Sequence, residues 1–290
     1  MDLSKNLRLA GSVSLIVLTC VVVDVALHRL FAWVFDFNYF NNGLPQSVLV
    51  KNGTFPIAAV LGFSVMFGFL AMIYVRSRPE IGGTPFWAGQ RFFAPFAFIM
   101  FFGVFESAFV FPTPFEPEIL TAIADAVPYL LLGALLGCVS RSGTGEESGR
   151  QGAQAPWQSM LWVALFYVAG RYLVSYPFLH IASGYIERAP GTFAWTVGCG
   201  LSMGAFYWLA GSTFRAANPL QKALRVGGLT LGVFWLMVQL FFALISEFSI
   251  VDLVTRGVAD GLYLVAGIYS FEILFLRKRY ILPSIRVNQT

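Results

Sequence analysis

The chain predicts an all-α fold: a polytopic membrane protein with eight transmembrane helices arranged as two parallel four-helix repeats. Three observations carry this reading: the composition, the spacing of the apolar runs and an internal echo between the two halves. Of 290 residues, 57% are hydrophobic and 12% charged, against about 45–50% and about 25% in soluble proteins.

The apolar runs occupy approximately 9–35, 56–76, 92–112, 118–140, 157–182, 192–214, 226–246 and 251–276. Each approaches or exceeds the roughly 20 residues a helix needs to cross a hydrocarbon core of about 30 Å. Backbone groups in lipid must be satisfied within their own segment, so runs of this length are helices. A barrel would show short alternating strands instead. The first run is too long for a signal-peptide core and is followed by no small-residue cleavage site, so it is expected to stay as an anchor.

The echo begins at Gly53-Thr54-Phe55, followed by Gly62 and Ser64, and returns 138 residues later as Gly191-Thr192-Phe193, Gly200 and Ser202. Ala124-Asp125, Tyr129-Leu130 and Gly133 return as Ala259-Asp260, Tyr263-Leu264 and Gly267, offset by 134–135 residues. Echoes at this length scale mark duplicated units. The Gly-, Ser- and charge-rich stretch 141–156 reads as a cytoplasmic linker between a first repeat, 1–140, and a second, 157–290, which ends in a basic cytoplasmic tail. Four spans per repeat is an even number, so both halves enter the membrane in the same sense.

Basic residues set the orientation. Fourteen of them, including Arg76, Arg78, Arg91, Arg215, Arg225 and Arg277, fall at the termini and in even-numbered connections, while Lys51, Arg188 and Arg256 fall on the opposite side. Both termini are therefore expected in the cytoplasm. The net charge of +4 reads as an insertion signal, and no nucleic-acid partner is implied. Cys20, Cys138 and Cys199 lie within spans without a CxxC pair and read as small buried hydrophobes, not as a thiol-oxidase centre.

Ionisable groups inside spans are the functional lead, because each costs a few kcal/mol at mid-membrane unless paired or hydrated. The candidates are Asp24, His28, Glu106, Asp125, Arg171, His180 and Asp260. Asp24 and His28 lie four apart, on one face of the first span. Leu27-His28 and Leu179-His180 occupy comparable places in the two repeats, with Tyr176 standing where the first copy has Asp24. Ten of fifteen acids fall toward the outer side, which suits an outward vestibule that attracts cations. Imidazole and carboxylate suit zinc or iron, but no HExxH or other tight ligand spacing occurs, so the sequence assigns no metal site, no cofactor and no catalytic residue. Ser64 and Ser202 lack a nucleophile elbow. The glycines at 62 and 68, 133 and 137, and 198, 200 and 204 are read as close-approach points between helices. The threonines of the GTF triplets are read as helix caps.

The first-span string LAGSVSLIVLTCVVVDVALHRL resembles the opening of small four-helix bacterial membrane proteins, and AIADAVPYLLLGALLGCV is similar to their last span. That resemblance implies a tandem duplication of such a unit in a bacterial inner membrane, and it brings no activity with it. The leading functional expectation is a small-solute or cation transporter or binding protein that uses the outer polar cluster. The alternative is a non-catalytic membrane partner or assembly factor of a larger complex. The lipid bilayer, a small solute or cation and a membrane protein are the partners these readings imply.

Overall fold

A computed structural model of the chain describes residues 3–38, 40, 43–110, 113–139 and 153–276, with the side chains of 3–6 excepted. Most of the expected linker 141–156 and the whole tail from 277 lie outside the described residues. Among those described there is no strand, only an isolated bridge between Gln46 and Ser246.

The first half comprises α1 (Leu3–Val34), the short α2 (Val48–Lys51), α3 (Phe55–Ser77), α4 (Pro85–Val110) and α5 (Phe115–Val139). The second begins with α6 (Gln158–Gly170), prolonged by a π-helical turn at Arg171–Ser175, and continues with α7 (Ala189–Leu209). A continuous rod follows, made of α8 (Pro219–Ala223), a π-helical stretch at Leu224–Gly232 and α9 (Val233–Ile245), and α10 (Ile250–Phe275) closes the described chain. Among the described residues, six segments are long and apolar enough to cross a membrane: Leu7–Val34, Phe55–Glu80, Pro85–Val110, Phe115–Val139, Pro219–Ile245 and Ile250–Phe275. They point to an integral, multi-pass membrane protein.

The expected fifth and sixth spans are helical but fall outside that set, for a physical reason. The α6 rod carries a fully buried arginine, Arg171. Helix α7 is rich in Gly, Thr and Trp because much of it faces other helices and not lipid. Its Gly204 lies against the Met160 backbone, and a Cβ there would stand 2.2 Å from the carbonyl oxygen. Gly198 lies equally close beneath the Phe102 ring. A helix clasped by its neighbours takes its stability from close approach, so its average apolarity is free to fall.

Local signals place the ends. Ser47, Asn218 and Ser249 cap α2, α8 and α10 by accepting from backbone amides, as short polar side chains do at helix starts. The expected threonine caps are not formed. Thr54 precedes α3 without a side-chain capping bond, and Thr192 lies buried inside the first turns of α7. The two GTF triplets also differ in backbone: Gly53 has φ 71°, the turn that ends α2, whereas Gly191 sits within α7 against Phe109. Pro95 and Pro128 lie inside α4 and α5 without ending them, because neighbouring helices in a membrane bundle compensate a broken backbone bond.

The helices pack both within and across the two halves of the chain. In the first half α1 packs on α3 and α5, and α5 on α4; in the second, α6 packs on α7 and α10, and α10 on α9. Across the halves α4 meets α7, and α3 meets α9. Two loop contacts also join the halves. The segment before α2 clips to the end of α9, through Ser47 N donating to Ile245 O at 3.0 Å and Glu247 N to Pro45 O at 2.9 Å. The segment before α7 clips to the end of α4, through Arg188 Nη1 donating to Ala108 O at 3.0 Å.

Aromatic rings fill the seam between halves. Phe206 of α7 meets Phe92 and Phe96 of α4 at centroid distances of 5.2 and 4.8 Å, and Phe96 in turn meets Phe234 of α9 at 4.8 Å. Tyr129 of α5 packs on Phe67 and Phe234 at 4.9 and 5.8 Å. Cys20 and Cys199 are buried among these helices, whereas Cys138 is exposed near the end of α5.

Candidate functional site

Asp24, Glu106, Asp125, Arg171 and Asp260 are all buried, and the structure divides them between two places. His180 joins neither. It lies exposed beyond the π-helical turn, with φ 50°, and so does not mirror His28 in space.

The larger group is a network of paired charges where α4, α6, α9 and α10 meet. Arg171 is fully buried; its Nε donates to Asp260 Oδ1 and Oδ2 at 3.0 and 3.2 Å, and its Nη2 donates to Oδ2. Two further donors serve Oδ2: Trp235 Nε1 at 2.8 Å and the Tyr167 hydroxyl at 3.4 Å. The third nitrogen of Arg171, Nη1, reaches Glu106 Oε1 at 3.3 Å. Glu106 also accepts from Arg256 Nη1 and, at 2.7 Å, from Gln239 Nε2. Arg256 Nη2 donates to Ala182 O and to Asp252, both at 2.9 Å. The Arg171 guanidinium lies 4.6 Å from the Trp195 ring and 5.3 Å from that of Tyr167, which adds the attraction of a cation for an aromatic face.

Two guanidinium groups thus face two fully buried carboxylates, and nearly every lone pair of those carboxylates has a donor. A buried charge is tolerable only when paired and hydrogen-bonded in this way. The network binds Glu106 of the first half to Arg171 and Arg256 of the second. Its chemistry is that of a clamp. The small recess beside it, lined by Glu106, Ser107, Gln239 and Arg256 with Phe242, Phe248 and Leu253, does not open the seam.

The smaller group lies between α1 and α5. His28 Nε2 is 2.9 Å from Asp125 Oδ1, and one ligand atom from each of Asp24, His28 and Asp125 lies within 4.8 Å of the others. Asp24 is 1% exposed, and its Oδ1 has no hydrogen-bond partner. The Tyr129 hydroxyl, one turn along α5 from Asp125, is likewise buried without a partner. No guanidinium or ammonium pairs with these acids among the described residues. Two carboxylates and one imidazole of this kind are the residue types that hold a divalent cation. The sequence hid this arrangement, because Asp125 stands 97 residues from His28 and no local ligand spacing announces it.

The two places lie in separate seams, one between α1 and α5 and one between the α6 rod and α10. Asp125 faces α1 in the first half as Asp260 faces the α6 rod in the second. Val25-Ala26-Leu27-His28-Arg29-Leu30 and Val168-Ala169-Gly170-Arg171-Tyr172-Leu173 share Val, Ala and Leu at matching positions. In these two strings His28 and Arg171 stand at the same place, whereas His180 lies outside the second string. Sequence reasoning also missed Arg256, which had counted as an outer-loop base. Its signal was the spacing of Asp252, Arg256 and Asp260, four apart along one face of α10. Gln239 and Trp235 carried no comparable signal. No protein-family profile, no curated protein and no solved structure matches the chain, so its place among proteins rests on these two seams.

Proposed function

We propose that the protein is a cation-binding integral membrane protein of eight spans in two parallel halves, with the cation held in the first-half seam between α1 and α5. The observation that carries the reading is the contrast between equivalent aspartates. Asp260 is neutralised by Arg171 and served by Trp235 and Tyr167, whereas Asp125 has His28 and a second acid, Asp24, whose Oδ1 is unpartnered. Carboxylates gathered in a membrane interior are costly unless a cation or a proton compensates them, and a cation is the compensation proposed for this seam. The second half supplies its own as Arg171; the first half takes one from outside. The duplication behind this argument is supported by the matching packing scheme and the paired loop clips. The distribution of basic residues supports a cytoplasmic location for both termini.

Titrating the purified protein with a panel of monovalent and divalent cations, after exhaustive chelation, tests this reading by thermal unfolding. A bound cation stabilises by about 2.7 kcal/mol at one hundred times its Kd. The stabilisation should vanish in Asp125→Asn. Failure of every cation in the panel to stabilise the wild-type protein would sink the reading.

A second reading, a non-catalytic membrane partner, is favoured by the aromatic rings and the paired charges that join the two halves. It predicts that the protein extracted from native membranes migrates in a complex much larger than the purified chain.

A further inference from the structure

We infer that the Asp24–His28–Asp125 seam is a site for a first-row divalent transition metal ion, of the zinc, manganese or iron(II) class. The inference rests on the cation-binding reading above and narrows it to one chemistry. The donor set makes the choice. Sodium, potassium, magnesium and calcium are held by oxygen, and calcium takes six to eight such ligands. An imidazole nitrogen beside two carboxylates instead suits zinc, iron and their neighbours.

The geometry meets the requirements of such a site. His28 and Asp24 project from one face of α1, one turn apart, and Asp125 faces them from α5. Their ligand atoms lie within 4.8 Å of one another, so a modest closure brings all three to the roughly 2.0–2.2 Å of zinc–nitrogen and zinc–oxygen bonds. Three protein ligands leave a position for water or a carried group, as in sites that exchange or use what they bind. An independent observation points to a ligand: Asp24 Oδ1 is unpartnered at a residue that is 1% exposed. A buried polar atom left without a partner costs about 1–3 kcal/mol, and more when it is charged. A metal ion relieves that cost for Asp24 and draws Asp125 into the same shell. The imidazole is the least buried of the three groups, with its side chain 24% exposed.

The probe is Co2+, added to the chelated full-length protein in detergent or nanodiscs. Its visible d–d absorption reports nitrogen and oxygen ligation directly, and competition with Zn2+ and Mn2+ gives affinities. One equivalent should bind, with a low-coordinate ligand-field spectrum. Affinity should fall at least tenfold in His28→Gln and in Asp24→Asn, while the exposed His180→Gln leaves it unchanged. Because Asp24→Asn removes a buried charge and can alter folding, His28→Gln provides the independent reading at a partly exposed position. No stoichiometric Co2+ or Zn2+ binding by monodisperse wild-type protein overturns the inference, as does binding that survives both seam variants or is lost in His180→Gln. Stabilisation by sodium or calcium, without Co2+ or Zn2+ binding, overturns the metal class while leaving the cation-binding reading intact. Absence of any cation effect removes both.

Discussion

Arg171 and Asp260 meet side-on between the α6 rod and α10, with Nε shared between both carboxylate oxygens at 3.0 and 3.2 Å and Nη2 closing on Oδ2. Arg171 begins a π-helical turn, in which the Tyr176 amide donates to the Arg171 carbonyl at 3.0 Å. Such local widening recurs at functional positions in helices, and here it falls where the guanidinium must reach both Asp260 and Glu106.

Removing one partner of this pair should be severe. Arg171→Met leaves Asp260 buried and short of its cation, and losses of about 3–5 kcal/mol are usual for a broken buried pair. The paired change Arg171→Met with Asp260→Asn should recover part of that loss, because no unpaired charge remains. Unfolding of the two single variants and the double variant in detergent measures the coupling. Additive losses would show that the pair does not act as a unit.

The Lys51–Glu247 bridge offers the opposite case. It joins the halves at 2.6 Å, but both side chains are about half exposed, at 52% and 53%. Exposed pairs contribute roughly 0–1 kcal/mol and are screened by salt. Lys51→Ala should shift stability by less than about 1 kcal/mol, with a smaller shift at high ionic strength. A larger, salt-insensitive loss would reveal a structural role for this end of the molecule.

Glycine contacts separate the helix interfaces from the open faces. A Cβ at Gly89 would stand 1.9 Å from the Gly133 carbonyl oxygen, so Gly89→Ala should force α4 and α5 apart. Overpacking of this kind typically costs about 1–3 kcal/mol. Gly68 has no atom within 4 Å of its built Cβ, and Gly68→Ala should be neutral or slightly stabilising. Equal effects in thermal unfolding would contradict the packing of α4 on α5.

Topology can be read with reporters. A fusion after Thr290, or an insertion in 141–156, should report the cytoplasmic side, and one near Asn42 the external side. Thr290, Asn42 and most of 141–156 lie outside the described residues, so the expectation rests on the basic residues alone. An external signal from either of the first two would reverse the orientation.

Helicity and membrane character were legible in the sequence because apolar runs of this length have one solution in lipid. The π-helical segments at Arg171–Ser175 and Leu224–Gly232 were not, since they depend on what each turn meets in three dimensions. For the sites, the cost of ionisable groups in lipid singled out Asp24, Glu106, Asp125, Arg171 and Asp260, and the structure adds which of them meet. The sequence expectation gathered them into one outer cluster. Two seams hold them instead, because Asp125 and Asp260 face different partner helices. The His28–His180 parallel misled because it matched a dipeptide rather than a packing position. The glycine pairs divided similarly: Gly133 lies against α4 backbone, while Gly68 meets open space.

Glu106 also bears on how the protein is made. Its guanidinium partners, Arg171 and Arg256, follow it by 65 and 150 residues. At about 5–20 residues per second of synthesis, the carboxylate waits roughly 8–30 s for Arg256 to complete its network. During that interval the newborn first half carries an acid in α4 whose counter-charges have not yet left the ribosome. Separately expressed halves would meet the same difficulty permanently, the first with Glu106 lacking both guanidinium partners and the second with Arg171 and Arg256 left only Asp260 and Asp252. Biogenesis of this chain is therefore a matter of timing as well as hydrophobicity, with the arrival of Arg256 marking the moment the bundle can close.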